Sequence, residues 1–274
     1  MKQIFLVILM VTSTLVFSQE GDFVETNGVK LYYEIHGQGN PLVLLHGNTM
    51  NHDMWTPWMA DLNEDYKVIT VDLRGHGQST NPTDEVSHKE FALDIYGLLD
   101  TLKIDRFKAM GFSTGGMTLI HMATMQTNRI ESLILIGATP YFPMDTREKM
   151  RKNDYDNVSV NNPGWIEYMK SVQPGGEKQI RSVLNNYLLW ADSYDDMNFT
   201  PPCLSTINCP TLIIHGDKDP YFPMQIPINL HDNIPNSHLW IIPNFGHSTP
   251  KHGTILGNLF LSTITDFMAG NWKQ

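Results

Sequence analysis

Gly111-Phe112-Ser113-Thr114-Gly115 is a G-x-S-x-G pattern between two recognisable flanks. Strand-like Phe107-Lys108-Ala109-Met110 precedes it, and a helix-like run from Gly116 to Ala123 follows. A serine on a sharp strand-to-helix turn has its hydroxyl pushed outward, toward a substrate. Small residues on either side let strand and helix approach closely. The helix N-terminus behind it offers free N–H groups and positive potential to a developing oxyanion. Chance alone places such a pattern in roughly one chain in ten of this length, so its partners elsewhere in the sequence decide its meaning.

Those partners occur in order. Upstream lies Val43-Leu44-Leu45-His46-Gly47-Asn48, a strand ending in His-Gly, and then Asp72-Leu73-Arg74-Gly75-His76-Gly77-Gln78-Ser79. Downstream lie His215-Gly216-Asp217-Lys218-Asp219-Pro220 and Phe245-Gly246-His247-Ser248. The set resembles the α/β-hydrolase superfamily, whose triad runs Ser, then Asp or Glu, then His. The resemblance spans nearly the whole chain from about Phe23. It implies a mostly parallel eight-stranded sheet flanked by helices, with a small helical cap inserted after the sixth strand.

The surrounding pattern agrees with an α/β class. Asn27-Gly28 between strand-like runs predicts a hairpin. The apolar run at 42–45 reads as a strand buried on both faces and 68–71 as the next buried strand, with further strands at 133–136, 210–214 and 239–242. They alternate with helical stretches near 55–62, 88–102, 115–126 and 224–233 and from 254. The rhythm breaks between 139 and 202, where helix-like pieces at 144–152, 165–171 and 178–190 carry Pro, Asn and aromatic residues. The expected division is a core of 19–138 and 203–274 with a cap of 139–202.

Residues 1–18 read differently. Met1-Lys2-Gln3 opens a 14-residue apolar run from Ile4 to Phe17, interrupted by Thr12, Ser13 and Thr14. The run is short of the ~20 residues needed to span a bilayer. Val16 and Ser18 suit cleavage before Gln19, so a secretory signal peptide and an exported protein without a stable membrane anchor are expected. Net charge is −10, from 19 basic and 29 acidic residues. That balance, without a basic run, makes nucleic acid and anionic membranes poor partners. Cys203 and Cys209 leave two readings open, a disulfide in an oxidising compartment or a small buried Cys209.

Ser113 is the candidate nucleophile, because a serine hydroxyl needs a base and oxyanion donors to attack near neutral pH. His247 is the candidate base among 11 histidines, since it follows a strand and a glycine-containing loop. His46, His76 and His215 read as hydrogen-bonded loop histidines. The resemblance implies that Asp219, rather than Asp217, orients His247. It also implies that the backbone N–H groups of Asn48 and Thr114 form the oxyanion hole. Serine at 113 disfavours the dehalogenase and epoxide-hydrolase chemistries of relatives with aspartate there. No phosphate loop, dinucleotide fingerprint or metal-ligand spacing appears, so no cofactor or metal is expected. Tyr141, Phe142, Trp165, Tyr168, Tyr187, Leu188, Leu189 and Trp190 either line an apolar pocket or pack the cap onto the core.

The expected function is hydrolysis of a small carboxylic ester. Alternatives are a lactone or carbon–carbon bond hydrolase of the same fold, or a ligand-binding receptor that retains the triad without turnover. The Asp72–Ser79 turn is read as structural.

Overall fold

A computed structural model describes residues 21–83 and 86–272; the signal-peptide expectation for 1–18 lies outside them. Asn27 and Gly28 adopt φ of 45° and 75°. Paired left-handed residues give the two-residue turn whose twist matches a hairpin. They join β1 (Asp22–Thr26) to β2 (Val29–His36). β3 (Asn40–Leu45) follows, then a 3₁₀ segment (His52–Trp58), α1 (Met59–Leu62) and β4 (Tyr66–Val71). The helical stretch expected near 55–62 is thus split, with Pro57, which has no N–H to donate, in its 3₁₀ half.

α2 (His88–Thr101) starts at a reciprocal capping box. Ser87 accepts the Glu90 N–H, and the Glu90 carboxylate accepts the Ser87 N–H. β5 (Phe107–Phe112), α3 (Thr114–Met125) and β6 (Ile130–Ile136) complete the first half. Five helices then intervene: α4 (Met144–Met150), α5 (Tyr155–Asn161), α6 (Pro163–Val172), α7 (Gly176–Asp192) and α8 (Pro201–Leu204). β7 (Thr211–Gly216), α9 (Gln225–Asn233), β8 (Ser237–Ile242) and α10 (Ile255–Met268) close the chain. α5 has no apolar helical stripe in its sequence. It forms because Asp154 caps the Asn157 N–H and Val158 buries itself in the cap's own small core with Ile166, Met169 and Leu184.

The sheet order is β1-β2-β4-β3-β5-β6-β7-β8, with β2 antiparallel to both neighbours and the remaining pairs parallel. Leu42 to Leu45 are fully buried because alternate residues serve opposite faces. Val43 and Leu45 pack in the core with Phe91, Ile95 and Leu119, while Leu42 and Leu44 pack with Trp55, Trp58 and Phe260. Parallel strands place the carboxyl ends of β3, β5, β7 and β8 along one edge, and the motif loops emerge there. Both cysteines are free, Cys203 exposed and Cys209 buried, so the disulfide option is not realised.

Candidate active site

Ser113 occupies φ 52°, ψ −117° between β5 and α3. A non-glycine residue there is strained, by about 1–3 kcal/mol. The surroundings hold it: its N–H donates to Ile136 O (2.8 Å) and its carbonyl accepts the Met117 N–H (2.9 Å). Gly111 and Gly115 make the tight turn possible. A Cβ on Gly111 would lie 2.5 Å from the Gly115 carbonyl carbon, and one on Gly115 would lie 2.3 Å from Leu45 O.

The structure brings the three sequence-predicted residues into one chain of hydrogen bonds. Ser113 Oγ lies 2.9 Å from His247 Nε2, and His247 Nδ1 lies 2.6 Å from Asp219 Oδ2. His247 sits after β8, with its ring among Phe112, Tyr221 and Phe222 at centroid distances of 4.9, 5.2 and 5.4 Å. Asp219 sits after β7, and its other oxygen accepts the N–H groups of Tyr221 (2.8 Å) and Phe222 (3.0 Å). Burial alone would raise its carboxyl. Hydrogen bonds from His247 and from these backbone groups outweigh burial and hold it below the usual carboxylate range. Asp219 is therefore ionised at neutral pH, and its carboxylate accepts the hydrogen bond from His247 Nδ1. Asp217 stands apart from the histidine and accepts the Phe245 N–H (3.2 Å), tying together the loops after β7 and β8.

The loop after β3 lies against the turn at Ser113: a Cβ on Gly47 would be 3.4 Å from Ser113 Cβ. The Asn48 N–H in that loop donates to no protein acceptor among the described residues. The Thr114 N–H is the first of α3 and has no intrahelical partner. Both predicted oxyanion donors thus belong to the segments that meet at the serine.

His46, His76 and His215 are buried structural groups. His46 Nδ1–H donates to Gly47 O (2.7 Å) while its Nε2 accepts the Leu73 N–H (3.0 Å). Burial pushes His46 down to about 4 and His76 to about 3, and also lowers His215, so all three are neutral. His52 behaves oppositely. Burial would lower it, but hydrogen bonds to Asp72 (2.7 Å) and an ion pair with Glu34 (3.2 Å) raise it to about 10.

Beside Ser113 and His247 is a cavity of about 40 Å³, room for about three waters. Its walls are Met117 of α3, Phe142, Met150 of α4, Tyr187 and Trp190 of α7, and Tyr221 and Phe222. Thr114 and Thr146 also line it, and Thr146 donates its hydroxyl to Tyr221 O. No lysine or arginine lines it. Of the cap residues read as pocket candidates, Phe142, Tyr187 and Trp190 reach this cavity. Trp165 instead donates to Thr49 Oγ1 (3.2 Å), and Tyr141, Tyr168 and Leu189 are exposed. Tyr221 and Phe222 escaped the sequence reading, although their place directly after Asp219-Pro220 puts them beside the histidine. Met117 and Met150 carry no local signal. Among the described residues no cluster of three or more His, Cys, Asp or Glu could hold a metal ion.

Residues 40–161 match the family model of the alpha/beta hydrolase fold. The AB hydrolase superfamily protein YisY of Bacillus subtilis (strain 168) is 30% identical over 255 residues, 83% of this chain and 92% of that protein. A pimeloyl-[acyl-carrier protein] methyl ester esterase of Legionella pneumophila (strain Paris) is 28% identical, covering 88% of this chain and all of that one. Among solved structures, the meta-cleavage product hydrolase of Pseudomonas fluorescens superposes with a TM-score of 0.74 at 23% identity, over 92% of this chain and 98% of that one. With the eight-stranded sheet and the serine at its strand-to-helix turn, these likenesses place the chain in the α/β-hydrolase family.

Proposed function

We propose that the protein hydrolyses small, uncharged carboxylic esters through a Ser113 acyl-enzyme. The observation that carries this reading is the Ser113–His247–Asp219 chain of hydrogen bonds opening onto a small apolar cavity. Ser113 Oγ attacks the ester carbonyl while His247 Nε2 takes its proton. The N–H groups of Asn48 and Thr114 hold the tetrahedral oxyanion, and Asp219 stabilises the imidazolium. Collapse breaks the carbon–oxygen bond, and the leaving alkoxide takes the proton from His247. A water, deprotonated by His247, then attacks the acyl-enzyme and releases the acid and free Ser113.

The cavity supports a substrate class. With room for about three waters it suits an acyl tail of roughly two to four carbons. A charged acyl tail would be desolvated there without a partner, at a cost of several kcal/mol. The reading includes an exported mature protein beginning at Gln19, checked by N-terminal sequencing of the protein recovered outside the cytoplasm.

Hydrolysis of p-nitrophenyl esters from C2 to C12 by wild type and Ser113→Ala tests the function. Steady turnover that favours C2–C4 and vanishes in the variant is expected. A folded wild type that turns over lactones or carbon–carbon substrates, but no ester, would replace this reading with the corresponding alternative. A single-turnover adduct would indicate a receptor.

A further inference from the structure

Gln173 belongs to the cap, yet each hydrogen bond of its side chain goes to the core. It follows α6 and is 1% exposed. Its Nε2 donates to Thr49 O (3.0 Å) and Met50 O (3.2 Å), and its Oε1 accepts the Gly77 N–H (2.8 Å). An amide has two N–H donors on one end and a carbonyl on the other, and here each end meets its complement. One side chain therefore ties the loop after β3 to the Asp72–Ser79 turn.

The tied loop is under strain next to its key donor. Thr49 has φ 68°, a costly conformation for a β-branched residue, and it directly follows Asn48. Its hydroxyl accepts the Trp165 Nε1–H from α6. The Asn48 side chain reaches the cap as well, donating from Nδ2 to Val183 O of α7 (3.1 Å). Three consecutive residues, Asn48, Thr49 and Met50, are thus held by cap groups.

We propose that Gln173 is a positioning residue for the oxyanion hole. By fixing the Thr49 and Met50 carbonyls it holds Thr49 in its strained conformation and aims the Asn48 N–H at the oxyanion, so that seating the cap completes the site. The proposal rests on the serine-hydrolase reading above. Gln179 provides an internal control. It donates to Gly75 O (3.1 Å) and Gly77 O (2.8 Å) and accepts the Gly175 N–H (2.7 Å), without touching the loop after β3. It joins the same cap to the same turn but has no part in aiming Asn48.

The test compares Gln173→Met, Gln173→Glu and Gln179→Met with wild type. It measures ester kcat and KM, the rate at which a fluorophosphonate modifies Ser113, and Tm. Gln173→Glu keeps the acceptor for Gly77 and the side-chain length, but sets a carboxylate oxygen against the Thr49 and Met50 carbonyls in place of the donors. Both Gln173 variants are expected to lower kcat and the phosphonylation rate about 10- to 100-fold, with KM nearly unchanged. Gln179→Met is expected to lower Tm comparably and to leave both rates within about threefold. Equal losses in all three variants, a change in KM alone, or wild-type phosphonylation in the Gln173 variants would overturn the proposal. A wild type that is phosphonylated but cleaves no ester overturns the ester reading, and the phosphonylation ratios then decide this one. A wild type that is not phosphonylated overturns both.

Discussion

The loops that carry Ser113, Asp219 and His247 and the loop that carries Asn48 meet at one point but are held by different parts of the molecule. The first three are fixed mainly from below, with Thr146 and Lys149 of the insertion adding bonds to Tyr221 O and Pro220 O of the Asp219 loop. Ser113 bonds to Ile136 of β6, Asp219 accepts N–H groups from its own loop, and Asp217 ties that loop to the one bearing His247. The Asn48 loop is fixed largely from above, by Trp165, Gln173 and Val183 of the cap. The proposed reaction chemistry thus rests on the sheet, while the proposed oxyanion geometry and the pocket shape rest largely on an insertion. Substitutions at Ser113, His247 or Asp219 should abolish turnover, and substitutions in the cap should grade it.

The strongest break of this comparison is at Ser113. Ser113→Ala should lower ester kcat by roughly 10⁵- to 10⁶-fold, measured by initial rates with an active-site titration. Ser113→Gly should be equally inactive yet more stable by about 1 kcal/mol, read from urea denaturation, because glycine tolerates φ 52°. A less stable glycine variant would mean that the turn at this serine is not strained.

Next is the pair of aspartates. Asp219→Asn should lower kcat by about 10⁴-fold, because the amide no longer favours the correct tautomer or the imidazolium. Asp217→Ala should leave kcat nearly unchanged and cost about 0.5–1.5 kcal/mol of stability from its bond to Phe245. The reverse pattern would exchange their roles.

The cap should respond more gently. Met150→Ala enlarges the cavity beside Ser113 and should move the preferred acyl chain to longer esters, changing the C8 to C4 ratio of kcat/KM by about 10-fold. The same change should cost about 2–4 kcal/mol of stability, since Met150 is buried. An unchanged chain-length profile would remove the cap from the acyl pocket.

A separate effect concerns pH. His52 is raised in the folded protein to about 10 from an ordinary value of 6.5. The folded state therefore holds this proton when the unfolded chain has lost it. Its stabilisation is fully present below about 6.5 and is lost as pH rises through about 10. His52→Gln should flatten the decline in Tm across that alkaline window. His46 and His76 act at the other end. Their folded values are depressed to about 4 and about 3, so they draw stability down as pH falls below about 6.5.

Much of this site was legible in the chain because its chemistry is local. Gly111 and Gly115 announce the tight turn around Ser113, and a glycine-containing loop after a strand announces His247. Apolar runs of four or five residues announce buried parallel strands, since each face of such a strand meets a core. α5 was not legible, because Tyr155–Asn161 owes its helix to the Asp154 cap and to packing by Val158 rather than to an amphipathic stripe. Nor was the pocket: eight cap residues were candidates by type, three reach it, and Met117 and Met150 join them from other segments.

By itself, the sequence determined the fold family, the order of the strands' motifs and the candidates for nucleophile, base and acid. Those are set by glycine sterics, hydrophobic period and the spacing of a few reactive side chains along one chain. Only the tertiary structure decided which aspartate meets His247, which apolar side chains face Ser113, and that Gln173 bridges the Asn48 loop to the Asp72–Ser79 turn. The Asp219–His247 and Gln173–Thr49 contacts join residues 28 and 124 positions apart. No local pattern records them, because they depend on where a separate insertion comes to rest on the sheet.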